Sequence, residues 1–512
     1  MKRRTFLSLS AAGTAAALGS AYLRRTGHAA TFGDFPTGTE PAMLPVDVRA
    51  RNVLEVFLYG GISIWETLYF VAEYGQPSDP NFPNQQFYTF TGGGANSVEA
   101  ALAACNFPGG EPLGAFFAQD ANGANVNLGP FAYRLRQRPD VVDRMRMAVQ
   151  FHTLEPHEAA VPQALTGKPV GQPAAAGLGT HIQRYFLEHE TVPRQAPYSY
   201  VFATGGLAGD NVSAAAATGM HIGQARPLFI KTDNATRLNE LLARTEIGTP
   251  EARASYDQLM SLYVEQYRER LRWQQAGDPV RSARFAELDS AVGTVENVDA
   301  ISAVMDPTLF DDLSGAACGD SNTPDIPGMG LRAARHLLTH PVEPASYVCV
   351  SDIGLREASG GGGYDTHTRN STDTAKNFDN LLRHLMGIIN APGEGDPSKL
   401  DLDDTLIILN TEFGRTAYSQ GMSGRNHHPY GYVSVYIGGP ITAAQKGIYG
   451  AIGPNSVASS YITPAENRIA ALLAMGIWPF SPEAFAVSDV PGAVTEYDAA
   501  LLVTERALGY TL

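Results

Sequence analysis

Ala345–Val350 (A-S-Y-V-C-V) and Thr405–Leu409 (T-L-I-I-L) bracket the stretch whose reading decides the fold. Each is a short apolar run without alternation of polar residues, the pattern of a strand buried on both faces. Between them, Ser371 or Thr372 is placed to cap a helix whose apolar face is Phe378, Leu381, Leu382, Leu385, Ile388 and Ile389. Strand, helix, strand with non-alternating strands predicts an α/β class: a mostly parallel sheet covered by helices on both faces.

Further strands are expected at Val53–Tyr59, running into Gly60-Gly61, and at Met145–Phe151, Ser199–Ala203, Pro227–Lys231 and Tyr432–Ile437. A helix is expected at Gly330–His340, stopped by Pro341, and a closing helix at Ala465–Gly476. Asp79 to Pro130 is rich in Gly, Asn, Pro and Phe and reads as long loops with one helix at Ser97–Ala104. About Thr232 to Ala303, apolar residues recur at helical spacing (Leu238, Leu241, Leu242, then Tyr256, Leu259, Met260, Tyr263), which predicts a helical insertion beside the sheet. No internal repeat or heptad run is present.

The N-terminus reads as an address. Lys2, Arg3 and Arg4 precede an Ala- and Leu-rich segment from Phe6 to Leu23, and small residues follow at Gly27, Ala29 and Ala30. K-R-R-T-F-L at Lys2–Leu7 is similar to a twin-arginine export motif, so residues 1–29 are expected to be a cleaved signal peptide, with residues 30–512 one domain. The expected location is periplasmic or extracellular; the alternative is an uncleaved anchor. No transmembrane segment is expected after residue 29.

The chain has 37 Lys and Arg against 52 Asp and Glu, a formal charge of −15. Removing the basic leader takes this to about −20, which argues against nucleic acid or anionic lipid as partners. The three cysteines, Cys105, Cys318 and Cys349, do not make a disulfide scaffold. Cys349 sits in an apolar run and reads as a buried thiol, while Cys105 and Cys318 are candidates for one bridge.

In an open α/β sheet ligands sit outside the carboxyl ends of the strands. Four such ends carry polar clusters: Ser63 and Glu66 after Gly60-Gly61; His152, Thr153 and His157; Tyr364-Asp365-Thr366-His367; and Glu412, Arg415, His427 and His428. Imidazoles and carboxylates drawn from distant loops suit zinc or manganese. Taken singly, Asp365 and His367 also fit a hydrogen-bonded turn, and Glu412 with Arg415 an ion pair holding a loop.

Y-D-T-H at 364–367, D-D-T-L-I-I-L-N-T-E-F-G-R-T at 403–416, G-R-N-H-H-P at 424–429 and the later I-G-G-P and I-Y-G-A-I segments resemble the bacterial family catalogued as domain of unknown function 1501. The resemblance implies a fold related to the alkaline phosphatase and sulfatase superfamily, with divalent metal (zinc, manganese or calcium) at the strand ends. It implies Asp365, His367, Glu412 and His427 as metal ligands, with Glu66 on the first loop where the family often has an Asp. Asn426 likewise stands where an Asp is common. It implies Thr153 as nucleophile, Arg415 facing a substrate oxyanion, and His157, Ser63 and His428 on the substrate side. The expected function is hydrolysis of phosphate or sulfate esters. The alternative is a non-catalytic envelope protein that binds a surface polymer or a partner, for which an exported protein of the family catalogued as 1800 is the candidate.

Overall fold

A computed structural model describes residues 31–76, 85–107, 112–172, 175–189, 198–203, 226–231, 249–274, 325–355 and 363–512, with short pieces between 211 and 217 and between 301 and 322. The expected signal peptide at residues 1–29, most of the 232–303 block and Gly360 to Gly362 lie outside the described residues.

The strand β1 (Asn52–Leu58) is buried along its whole length because sheet flanks it on both sides and helices cover both of its faces. It pairs in parallel with β5 (Tyr347–Asp352) on one side and β6 (Thr405–Asn410) on the other. With β2 (Met145–Gln150), β3 (Tyr200–Ala203), β4 (Leu228–Lys231), β7 (Tyr432–Gly438) and β8 (Gly447–Tyr449), they form an eight-stranded sheet in the order β8-β2-β7-β6-β1-β5-β3-β4. All pairings are parallel except those of β7, which runs against both β6 and β2. Two reversals cancel, so β2 points the same way as β6 and β1, and their carboxyl ends share one edge.

Side chains alternate across the strands and feed two cores. Leu54 and Val56 face α4 (Ile326–Leu338) and α5 (Asn370–Ile388), whose Leu331, Leu337, Phe378 and Leu381 share their cluster. Val53 and Phe57 share the opposite cluster with α1 (His157–Thr166), α2 (Leu178–Glu188), α6 (Pro464–Ala474) and α7 (Glu496–Val503). The expected mostly parallel, two-faced α/β sheet is therefore the architecture.

Local departures have local causes. Ser371 and Thr372 lie inside α5 rather than capping it; Arg369, at φ +50°, holds the cap position, and its backbone N–H donates to Ser423 Oγ. The helix expected from Gly330 begins at Ile326, because the Asp325 carboxylate accepts from the Gly328 N–H at 3.0 Å. The Ala465 helix starts from a Thr463–Glu466 capping box with Pro464 at its first position, and does not close the chain, since α7 follows. The loops expected at 79–130 include a hairpin, Ala115–Gln119 with Asn125–Leu128, joined to Phe70–Val71. Its turn is made by Asp120, whose carboxylate accepts from the Asn122 and Ala124 N–H groups, and by Gly123 at φ +78°.

The helix α3 (Pro250–Gln274) occupies part of the expected insertion, with Tyr256, Leu259 and Tyr263 exposed rather than packed on the sheet. Cys105 and Cys318, 213 residues apart, are disulfide-bonded, and Cys349 is a free buried thiol. Among the described residues no helix is long and apolar enough to cross a membrane.

The second core encloses a buried charge pair. Glu55 on β1 accepts both contacts of Arg468 Nη1, at 2.7 and 2.8 Å, with further hydrogen bonds from Tyr347 Oη and Asn410 Nδ2. Arg468→Met removes the guanidinium and strands the Glu55 carboxylate, and should cost about 3–5 kcal/mol in urea unfolding. Glu55→Gln combined with Arg468→Met should lose less than Arg468→Met alone; equal losses would show that the pair's charge is not what the helix depends on.

Candidate metal centre

Three strand ends deliver the cluster to the shared edge. Asp365 follows β5, Glu412 follows β6, and His157 opens α1 after β2. Gly414–Arg415 pairs antiparallel with His427–His428, which brings His427 and Arg415 opposite each other. The loop after β1 has to pass close to Asp365: Gly60 sits at φ +106°, and a Cβ there would collide with the Asp365 backbone nitrogen. Gly424 is pressed as tightly onto the carbonyl of His367.

Asp365 is the meeting point. Its Oδ1 lies 3.0 Å from His367 Nε2, 3.4 Å from His427 Nε2 and 3.5 Å from His157 Nε2. The same oxygen accepts from Arg415 Nη2. His367 Nε2 and His427 Nε2 are 3.1 Å apart. His157, Asp365 and His427 each offer one ligand atom, all within 4.8 Å of one another.

The outer nitrogen of each ring faces an oxygen acceptor. His157 Nδ1 is 2.8 Å from Glu412 Oε1, His367 Nδ1 is 2.5 Å from Gln420 Oε1, and His427 Nδ1 is 2.8 Å from the Glu155 carbonyl. In a neutral ring the single N–H therefore sits on Nδ1 and the Nε2 lone pair turns inward. His157 Nε2 is buried and makes no hydrogen bond. Three lone pairs and a carboxylate oxygen facing one another repel unless a cation lies among them. A divalent ion meets that need, and imidazole held through its far nitrogen is the usual form of a ligand histidine.

Without a metal, protons supply the positive charge. Burial alone would lower the His157 pKa, but its carboxylate partners Asp365 and Glu412 raise it to about 9. Burial would raise the Asp365 pKa, but the three histidines and the Arg415 guanidinium hold it far below the carboxylate range.

The remaining expected site residues are placed as follows. Glu412 is buried and orients rather than joins the cluster, its Oε1 accepting from His157 Nδ1 and from the Gly60 N–H at 2.7 Å. Glu66 lies in a buried pair with Arg425 and accepts from Ser63 Oγ, so neither Glu66 nor Ser63 reaches the Asp365 group. Arg415 is wholly buried and pairs with Asp365, not Glu412; its other hydrogen bonds go to the carbonyls of Gly60, Gly61 and Arg425. His428 points away from His427 to the Ser456 carbonyl at 2.7 Å, and burial lowers its pKa. Thr153 is exposed on the loop between β2 and α1. The residues that sequence reasoning missed are the orienters, Gln420 and the Glu155 carbonyl, and Tyr59, whose ring stacks on His157 at 5.3 Å.

Residues 348–463 match the family described as "Protein of unknown function (DUF1501)". The matched span carries Asp365, His367, Glu412, Arg415 and His427, while His157 and Glu155 stand before it. No curated protein and no solved structure matches the chain.

At the edge of the family span, Asp352 ends β5 wholly buried. Burial raises its pKa to about 7, against hydrogen bonds from the Gly354 N–H and Tyr364 Oη and with the charge of Asp325 adding to the rise. A carboxyl raised in the folded state contributes stability below its unfolded pKa of about 4 and loses it as pH climbs through about 7. Asp352→Asn mimics the protonated form, so its melting-temperature advantage should widen from pH 4 to 7 and then level off. The plateau should be worth on the order of 2–4 kcal/mol. A gap independent of pH would rule out this titration.

Proposed function

We propose that the protein is an exported, metal-dependent hydrolase of phosphate or sulfate esters. The observation that carries this reading is the convergence of three imidazole nitrogens and the Asp365 carboxylate at the carboxyl edge of the sheet, each ring fixed from behind by its own acceptor. A divalent ion bound there lowers the pKa of a coordinated water and polarises an ester oxygen. The chain's own residues do the rest. Glu412, Gln420 and the Glu155 carbonyl hold the rings in the required tautomer, as orienting partners do in metal sites generally. Arg415 fixes Asp365 from the buried side, so its charge acts through the ligand and not on a substrate oxyanion. Thr153 puts an exposed hydroxyl on the loop that delivers His157.

The twin-arginine-like leader supports export to the periplasm or beyond, and the acidic charge supports a soluble substrate or partner. A second reading, a non-catalytic envelope protein that binds a surface polymer or an exported partner of the 1800 family, draws support from Glu66. That first-loop carboxylate is held by Arg425 instead of the cluster.

The test is hydrolysis of 4-nitrophenyl phosphate and sulfate by zinc- or manganese-loaded protein, with and without chelator. Activity should vanish with chelator and return with metal, and His427→Ala should lower it at least about 100-fold. A metal-loaded, folded protein that leaves a broad panel of both ester classes intact would favour the binding reading.

A further inference from the structure

We propose that the surface next to the centre is a binding subsite for an uncharged sugar ring, formed by the aromatic rings of Tyr461, Phe151 and Tyr430 with the Glu155 carboxylate beside them. The inference deepens the reading above by placing a glycan against the working groups. It rests on that reading only for the identity of the centre, since sugar binding here requires neither a metal nor hydrolysis.

The three rings stand on neighbouring segments that the backbone ties together. Phe151 directly follows β2, Tyr461 follows the short strand Ala458–Ser460, and Tyr430 precedes β7. The His152 N–H donates to the Pro429 carbonyl at 3.0 Å, and the Ile462 N–H to the Val149 carbonyl at 2.8 Å. The Phe151 ring stacks on that of Tyr461, with centroids 4.7 Å apart, and lies 6.0 Å from that of Tyr430. Tyr461 nevertheless remains 38% exposed. With Phe151 against one face, the part of its ring open to solvent is the other face and the edge. Phe151 and Tyr430 are half-buried. The strip leads to the centre: Tyr430 Oη donates to Glu155 Oε1 at 3.1 Å, and the Glu155 carbonyl is the acceptor that orients His427.

A sugar ring has an apolar C–H face and a rim of hydroxyl groups, and this surface answers both. An aromatic face already fixed by its neighbours covers the C–H face at low entropic cost. A carboxylate accepts strongly from the hydroxyls. Glu155 is exposed, and its Oε2 has no partner among the described residues. Thr153, also exposed, adds a hydroxyl two residues away. Other occupants fit less well. Polyanions are repelled by Glu155, by the exposed Glu158 and by the formal charge of −15. An added peptide strand needs free main-chain groups, and the N–H groups of His152 and Ile462 are already engaged by Pro429 and Val149.

The experiment is affinity electrophoresis of the full mature chain through native gels, each cast with one neutral polysaccharide: mannan, dextran, xylan or galactan. Dextran sulfate serves as the polyanion and gelatin as the polypeptide. At least one neutral polysaccharide should retard the protein, with chelator as well as without it. Tyr461→Ala should weaken that binding at least about tenfold, whereas Tyr461→Phe, which keeps the ring, should stay within about twofold of wild type. Glu155→Gln, at an exposed side chain, should weaken it about fivefold and locates the subsite even if Tyr461→Ala does not fold. No retardation by any neutral polysaccharide, retardation by dextran sulfate or gelatin alone, or wild-type binding in either weakened variant would overturn the proposal. Sugar binding by a protein that hydrolyses neither ester class would keep the subsite and remove the hydrolase reading; ester hydrolysis without sugar binding would do the reverse.

Discussion

The edge of the sheet depends on one buried cation. Arg415 has no access to solvent, so every donor on its guanidinium needs a partner inside the protein. It finds them on three separate segments: the Gly60-Gly61 turn after β1, Asp365 after β5, and the Arg425 carbonyl beside its own short strand. Those contacts pin together loops that are distant in sequence, and they aim one oxygen of Asp365 at three rings. Moving Asp365 would leave a charge unpaired in the interior, and moving either of the other two segments would leave a buried guanidinium donor without its acceptor. A second guanidinium, Arg425, repeats the device one layer out with Glu66 and the Gln86, Thr416 and Ala417 carbonyls.

The strands were legible because burial on both faces leaves a plain mark, an apolar run without alternation. Val53 to Tyr59, Met145 to Phe151 and Thr405 to Leu409 all fall within a residue or two of real strands. What stayed hidden was set by contacts far away in the chain. The reversal of β7 follows from its antiparallel pairing with β2 and β6, and its apolar composition is like that of the parallel strands. The start of α5 at Arg369 depends on Ser423 across the loop, so a Ser or Thr beside the apolar face was a misleading signal. The 115–128 hairpin carried an Asn-Gly pair at its turn, and that local cue was outweighed by the glycine content around it.

At the centre, residue type was readable and residue duty was not. Asp365, His367 and His427 come together as their shared strings suggested, because two short turns and one two-residue ladder fix them. His157 joins them as a candidate ligand rather than on a substrate side. The acids Glu412 and Glu66 have the right chemistry for metal, but the nearest positive or donating partner captured each one first. Gln420 and the Glu155 carbonyl left no mark, since an amide in a polar loop and a backbone oxygen look alike everywhere in a sequence.

The ladder between Gly414–Arg415 and His427–His428 is only two residues long on each side, with His427 turned to the cluster and His428 to the Ser456 carbonyl. Neighbouring side chains on a strand face opposite ways, so a slip by a single residue would exchange the two histidines. The centre would then still own an imidazole, but one brought from the wrong side, and Arg415 would swing out of reach of Asp365. Such a slip would leave a lone guanidinium and an unneutralised carboxylate in the interior together, so charge as well as packing penalises the wrong register.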